Sequence, residues 1–247
     1  MLLSILIPTL TSRRARFEWI HAKLMDQIRA CGWEHRIEIL SLADRGEVPT
    51  GTKRNALMAR ARGEFIVGVD DDDDVSECYV ELIGGALVAN PTIDCIGIRG
   101  EVTYRGRYRR GFVYSIAHRE YRTVKGVYLR PPHHLNPMRR RIAARYPFMG
   151  IWRNEDTECA LRISRDGALQ REHFIDHLLY RYHSRRWWFT QWAIDRTEPV
   201  RLPLGLQMVN RLKFVSPALP PPPLGAASAS ERAGAAADAD ADREHTS

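Results

Sequence analysis

"EFIVGVDDDDDVSECYV", residues 64–80, places five consecutive aspartates directly behind a short apolar run. Phe65, Ile66 and Val67 read as a buried strand, so the acidic run begins where that strand leaves its sheet. Like charges crowded together destabilise a folded chain unless a cation, or a metal shared with a phosphate, offsets them. The sequence on either side indicates which fold would bring such an offset within reach. Upstream, Leu2 to Ile7 reads as a strand ended by Pro8 and Thr9. A helix follows, with Phe17, Ile20, Leu24, Ile28 and Cys31 on one stripe and Gly32 as its stop. Residues 36–42 form a second strand that ends in a loop at Asp44. Thr50 or Thr52 then caps a helix with Leu57, Met58 and Ala61 inward, ended by Gly63. Downstream, Ser76 is expected to cap a helix through Ala89, and residues 92–99 supply a further strand. Residues 100–147 read as irregular strands and loops, 155–166 as a helix and 174–183 as a strand.

This alternation is the pattern of a parallel α/β sheet with right-handed crossovers, where ligands bind outside the carboxyl ends of the strands. Pro8, Thr9, Asp44 and the run from Asp70 all fall at such ends and are expected to meet in one crevice. Oxygen ligands on a rigid strand end suit a hard divalent cation, Mn2+ or Mg2+, shared with substrate phosphates. A helix-loop-helix calcium site does not fit, because it needs alternate oxygen ligands, a central glycine and a distal glutamate.

With 247 residues, 44% of them hydrophobic, the chain has enough apolar surface for one folded domain, expected over residues 1–215 with halves at 1–100 and 101–215. Residues 216–247 turn to proline runs and Ala/Asp/Ser repetition, a composition that reads as a disordered tail. The net charge is +7, and the tail from Pro217 carries −3, so the remainder carries +10. Between Arg99 and Arg145 thirteen Lys or Arg face only Glu101 and Glu120, which suggests either an anionic partner, such as nucleic acid or a phosphorylated lipid, or a solvated arginine-rich surface. Cys31, Cys78, Cys95 and Cys159 show neither metal-finger spacing nor a disulfide framework, and reduced thiols in the cytoplasm fit best. The opening "MLLSILIPTL" lacks the basic start of a signal peptide, and no stretch reaches the length of a membrane span.

"SILIPTL" (4–10), "GTKRNALMARARGEFIVGVDDDDDVSECYV" (51–80) and "NEDTECALRI" (154–163), in this order, resemble the N-terminal strand, the DxD region and the ED motif of family 2 inverting glycosyltransferases. The resemblance covers about residues 2–190 and implies the GT-A fold: an α/β architecture with a mostly parallel nucleotide-diphospho-sugar transferase sheet flanked by helices. It implies a nucleotide-diphosphate sugar donor, with Asp70 at its ribose or metal, Asp72 holding the metal on the diphosphate, and Asp71 as the rival if the register slips by one. Pro8 and Thr9 would border the base, and Asp44 would accept from its N–H. Lys53 and Arg54, at a helix N-terminus, are phosphate candidates, against plain surface charge, and Asn55 would brace the DxD loop. Asp156 is the expected base that takes the acceptor's proton, with Glu155 contacting an acceptor hydroxyl or supporting its neighbour; the alternative is an acid pair capping a helix. In "PPHHLNP" (131–137), His134 and Asn136 are candidates for donor or acceptor sugar, whereas His133 reads as part of a proline-fixed turn. His183 is a candidate metal ligand beside Asp70 and Asp72, and Trp187 and Trp188 are candidates for stacking on a sugar or base.

The function this supports is metal-dependent, inverting glycosyl transfer to an acceptor of undetermined kind: a phosphorylated lipid, a polysaccharide or modified DNA. Two rivals come from other classes. One is a nucleic-acid-binding protein without catalysis, whose acidic run is a solvated loop. The other is a metal-dependent nucleotidyl- or phosphotransferase on a similar sheet, which has no need of Asp156.

Overall fold

A computed structural model of the chain describes residues 1–104 and 108–184. Trp187, Trp188 and the expected tail lie outside the described residues. Strands β1 (Leu3–Leu10), β2 (Ile37–Asp44) and β3 (Phe65–Gly68) pair in parallel with β1 in the middle, joined by helices α1 (Arg14–Ala30) and α2 (Thr50–Arg60). Two-residue strand β4 (Asp74–Val75), helix α3 (Tyr79–Ala89) and the long strand β5 (Cys95–Tyr104) follow. The expected irregular stretch resolves into β6 (Tyr108–Tyr114), β7 (Arg122–Val124), β8 (Val127–Arg130), β9 (Met138–Arg139) and the short helix α4 (Arg140–Ala143). Helix α5 (Glu155–Arg165) and strand β10 (Glu172–Ser184) complete the described chain.

The strands form one mixed sheet in the order β2-β1-β3-β9-β5-β6-β8-β7, with β10 along the other side of β5. Strand β9 runs antiparallel between β3 and β5, so β1, β2, β3, β5 and β10 keep one direction although β3 and β5 are not neighbours. Side chains alternate across this sheet. Leu3, Ile5, Ile7, Phe65 and Val67 pack with Ile20, Leu24 and Ile83 from α1 and α3, while Leu6 and Ile66 pack with Leu57, Met58, Ile142 and Ile163 from α2, α4 and α5. Helices therefore cover both faces. No helix among the described residues is long and apolar enough to cross a membrane, and Leu3–Leu10 is a buried strand inside the sheet.

Three expected details change. Strand β1 runs on through Pro8 and Thr9 to Leu10. Neither Thr50 nor Thr52 caps α2; Pro49 holds the cap position and the Gly51 amide donates to the Ile151 carbonyl, so a loop covers this helix end. Ser76 does not cap α3, which starts at Tyr79; the buried Gln27 of α1 accepts from the Val80 amide and donates to the Ser76 carbonyl.

Helix α1 stops at Gly32, whose φ of +67° suits glycine, and the chain turns so that Trp33 lies flat on Gly84 of α3. A Cβ at Gly84 would stand 1.6 Å from the Trp33 ring. Gly84→Ala should therefore lower stability by about 1–3 kcal/mol through overpacking, read as a lower denaturant midpoint at unchanged m-value.

Candidate functional site

The carboxyl ends of β1, β2 and β3 meet as expected. Thr9 Oγ1 donates to Asp71 at 2.7 Å, and Lys53 Nζ donates to the Thr9 carbonyl at 2.9 Å and to Asp44 at 2.5 Å. Lys53 is buried and held between two strand ends. Asp44 has its other oxygen on the Val48 amide at 2.7 Å.

The five aspartates alternate in environment around a turn in which the Asp73 amide donates to the Asp70 carbonyl at 3.2 Å. Asp71 and Asp73 are buried, while Asp70, Asp72 and Asp74 reach partial exposure. All five have hydrogen-bond or charge partners. Asp70 accepts from Arg54 at 2.8 Å and faces His134 Nε2 at 3.3 Å. Arg13 reaches Asp71 at 2.8 Å and Asp72 at 3.1 Å. Asp73 accepts from the Tyr180 hydroxyl and the His183 amide, both at 2.8 Å, and Asp74 pairs with Lys23 at 2.8 Å and Arg181 at 3.2 Å. The acidic run is thus a paired element of the fold and not a solvated loop, against the first rival reading. Asp70 and Asp72 are partly exposed, whereas Asp71 is closed in by Thr9 and Arg13.

Arg54 ties this edge to the start of α5. Its guanidinium is buried, with Nη2 on Asp70 and Nε on Glu155 at 3.1 Å. Burial would lift the Asp70 carboxyl, but Arg54 and His134 outweigh it and hold Asp70 well below the usual carboxylate range. Asp73 has no cation beside it; burial and the neighbouring Asp70 push its carboxyl well up, against the two hydrogen bonds it accepts. Glu155 is buried on Arg54. Asp156, with a side chain 28% exposed, looks into the crevice, and its Oδ2 lies 3.8 Å from His134 Nδ1. Burial raises its carboxyl; His134, His133, Arg54 and the Thr157 amide at 2.7 Å overcome that and lower it. Asp156 therefore stays ionised, as a base must. The helix start is entered through Asn154 in the left-handed region at φ +63°.

Other expected residues fall elsewhere. Asn55 braces Phe148, donating to its carbonyl and accepting from its amide at 2.8 Å each, and does not touch the aspartate loop. Asn136 is buried and bonded to backbone, donating to Ile96 and Tyr114 carbonyls and accepting from the His133 amide. His133 is buried as a turn residue, its Nδ1 accepting from the Leu135 amide; burial and the His134 ring lower it to about 3. Arg13 and Tyr180 were not foreseen, since each reaches the site only through tertiary contact.

The expected metal set is not gathered. Asp70 turns to Arg54, Asp72 to Arg13, and the His183 ring to the Thr103 hydroxyl at 2.8 Å. Among the described residues, the metal-ligand grouping is His133, His134 and Asp156, with ligand atoms within 4.8 Å of one another. Asp72, partly exposed beside Arg13, carries carboxylate oxygens of the hard kind that divalent cations accept. Part of the basic block is paired internally: Arg99, Arg109, Arg122 and Arg139 meet Asp176, Glu101, Glu120 and Glu64, and Arg110 and Arg130 lie over the Tyr128 ring.

No protein-family model and no curated protein matches the sequence. Solved structures do match in fold. The crystal structure of S. aureus TarS 1-349 in complex with UDP-GlcNAc aligns with a TM-score of 0.51 at 16% identity, over 75% of this chain and 59% of that one. The same protein without ligand in its description, and in complex with UDP, aligns with a TM-score of 0.49 at 16% identity over 74% of this chain and 60% and 61% of theirs. This chain spans about three fifths of those structures. At that identity the likeness is one of fold, and it agrees with the glycosyltransferase architecture expected from the motifs.

Proposed function

We propose that this chain is an inverting glycosyltransferase that moves a sugar from a nucleotide-diphosphate donor onto an acceptor hydroxyl. The observation that carries the reading is the convergence of the ends of β1 and β3 with the start of α5: Asp70, His134, Arg54 and Asp156 form one connected set, beside the half-open Asp72. The fold likeness to TarS, whose structure holds UDP-GlcNAc, supports the donor class.

In this reading Asp156 takes the proton of the acceptor hydroxyl as its oxygen bonds to the anomeric carbon, and the bond from that carbon to the diphosphate breaks with its electron pair leaving on the diphosphate. Mn2+ or Mg2+ held by Asp72 would neutralise the leaving diphosphate. Arg54 keeps Asp70 ionised and fixes Glu155, which anchors the first turn of α5 beside Asp156. Because its neighbours lower Asp156, its basic form persists through neutral pH, and turnover should fall only on the acid side, below the ordinary carboxylate range. A pH–rate profile of donor hydrolysis checks this; a loss of turnover near neutrality assigns the base to another group.

The direct test is a screen of UDP, GDP and TDP sugars with Mn2+ for thermal stabilisation and slow hydrolysis. Stabilisation by one nucleotide class with release of free sugar is the expected result. Failure of all three removes the donor assignment.

A further inference from the structure

A cation supplied by the chain itself already sits on Asp72. Arg13 closes a short 3-10 turn, Thr11–Arg13, that continues from β1, and one nitrogen of its guanidinium, Nη1, reaches Asp71 Oδ1 at 2.8 Å and Asp72 Oδ2 at 3.1 Å. The two halves of this bridge differ. The Asp71 side chain is 2% exposed and its other oxygen accepts from Thr9 at 2.7 Å, so that half is fixed. The Asp72 and Arg13 side chains are 23% and 33% exposed, and an ion pair this open to water contributes little and exchanges readily. Arg54 is the contrast: its side chain is 7% exposed and locked between Asp70 and Glu155.

A divalent cation binds a carboxylate oxygen at about 2 Å. With Nη1 3.1 Å from Asp72 Oδ2, the ion and the guanidinium, both positive, compete for that oxygen. A bare ion therefore binds Asp72 only at the expense of the Arg13 pair, whereas a diphosphate brings negative charge that takes up the displaced guanidinium.

We propose that Arg13 is an internal counter-cation guarding Asp72: it keeps the carboxylate paired while no donor is bound, disfavours a metal ion entering alone, and leaves Asp72 when the ion arrives with the donor's diphosphate. This rests on the glycosyltransferase reading above, in which Asp72 takes the cation. Asp71 keeps the guanidinium tethered, so the exchange is a short swing about one anchored end.

Mn2+ alone, without nucleotide, is the probe, and the electron paramagnetic resonance signal of the free ion reads its binding. Arg13→Gln should bind Mn2+ about tenfold more tightly than the wild type, the equivalent of one charged hydrogen bond that no longer competes for Asp72. Adding Asp72→Asn should abolish the gain, which assigns the ion to that carboxylate. Lys23→Gln removes the same charge from the neighbouring Asp74, which Lys23 meets at 2.8 Å, and should bind Mn2+ as the wild type does. An Arg13 variant that binds no more tightly, a gain that survives Asp72→Asn, or an equal gain in Lys23→Gln overturns the guard, while nucleotide-sugar hydrolysis by the wild type leaves the parent reading intact. A wild type that hydrolyses no nucleotide sugar removes the parent reading and the guard with it. Should the Arg13 variant not fold, crystals of the wild type grown with saturating Mn2+ decide: an ion on Asp72 with Arg13 turned more than about 4 Å from that carboxylate is expected, and an ion beside the intact pair, or no ion on Asp72, overturns the guard.

Discussion

Asp156→Asn should lower sugar transfer and donor hydrolysis by about 10²–10⁴-fold while leaving nucleotide binding in place. The asparagine keeps the volume and the hydrogen bond from the Thr157 amide, so α5 still starts at Glu155. What it loses is the lone pair that receives the acceptor's proton. The carboxylate is suited to that task by its surroundings: His134, His133, Arg54 and the helix start stabilise its charge against burial, and more than a quarter of the side chain remains open to a substrate. Thermal stabilisation by the nucleotide, with Mn2+, measures donor affinity separately from turnover. A variant that loses both together places Asp156 in donor binding, and one that keeps its activity favours a nucleotidyl- or phosphotransferase, for which this residue is idle.

The second large effect is on stability. Arg54→Met should cost about 3–5 kcal/mol, because it strands the buried Glu155 and the partly exposed Asp70 without their guanidinium. Arg54 also keeps the Asp70 carboxyl well below its ordinary range, so the stabilisation is present at neutral pH and lost as pH falls through the native value. The penalty of the variant should accordingly shrink in acid, where protonation relieves the stranded carboxylates, and adding Glu155→Gln should recover part of it at neutral pH. Denaturant unfolding of the single and double variants between neutral and acid pH gives the numbers. Equal costs at all pH values mean that Arg54 acts by packing alone.

Much of the fold was legible because apolar periodicity changes cleanly between two and 3.6 along the first hundred residues, and because Gly32, Asn90 and Pro91 mark helix ends. Strand β9 was not legible: its two residues, Met138 and Arg139, have no period, and only the gap between β3 and β5 defines them. The acid positions of the site were legible as strand ends in one crevice. Which oxygen each acid offers was not, since that follows from the turn between Asp70 and Asp73 and from partners far away in sequence, Arg13 and Tyr180 among them. Lys53, Asn55 and Asn136 illustrate the same limit. A polar residue at a helix start or in a turn looks available in sequence, whereas here each is consumed by backbone or strand-end groups that only the folded chain supplies.

The account rests on a carboxylate attacking through an acceptor oxygen from the face opposite the departing nucleotide, and the configuration of the first product reads that face directly. Proton NMR of the early turnover of UDP-GlcNAc, or of whichever α-linked donor the screen selects, should show the free sugar appearing first as the β-anomer before mutarotation mixes the signals. An α-anomer appearing first, with this chain as the only catalyst, contradicts inversion and with it the role given to Asp156.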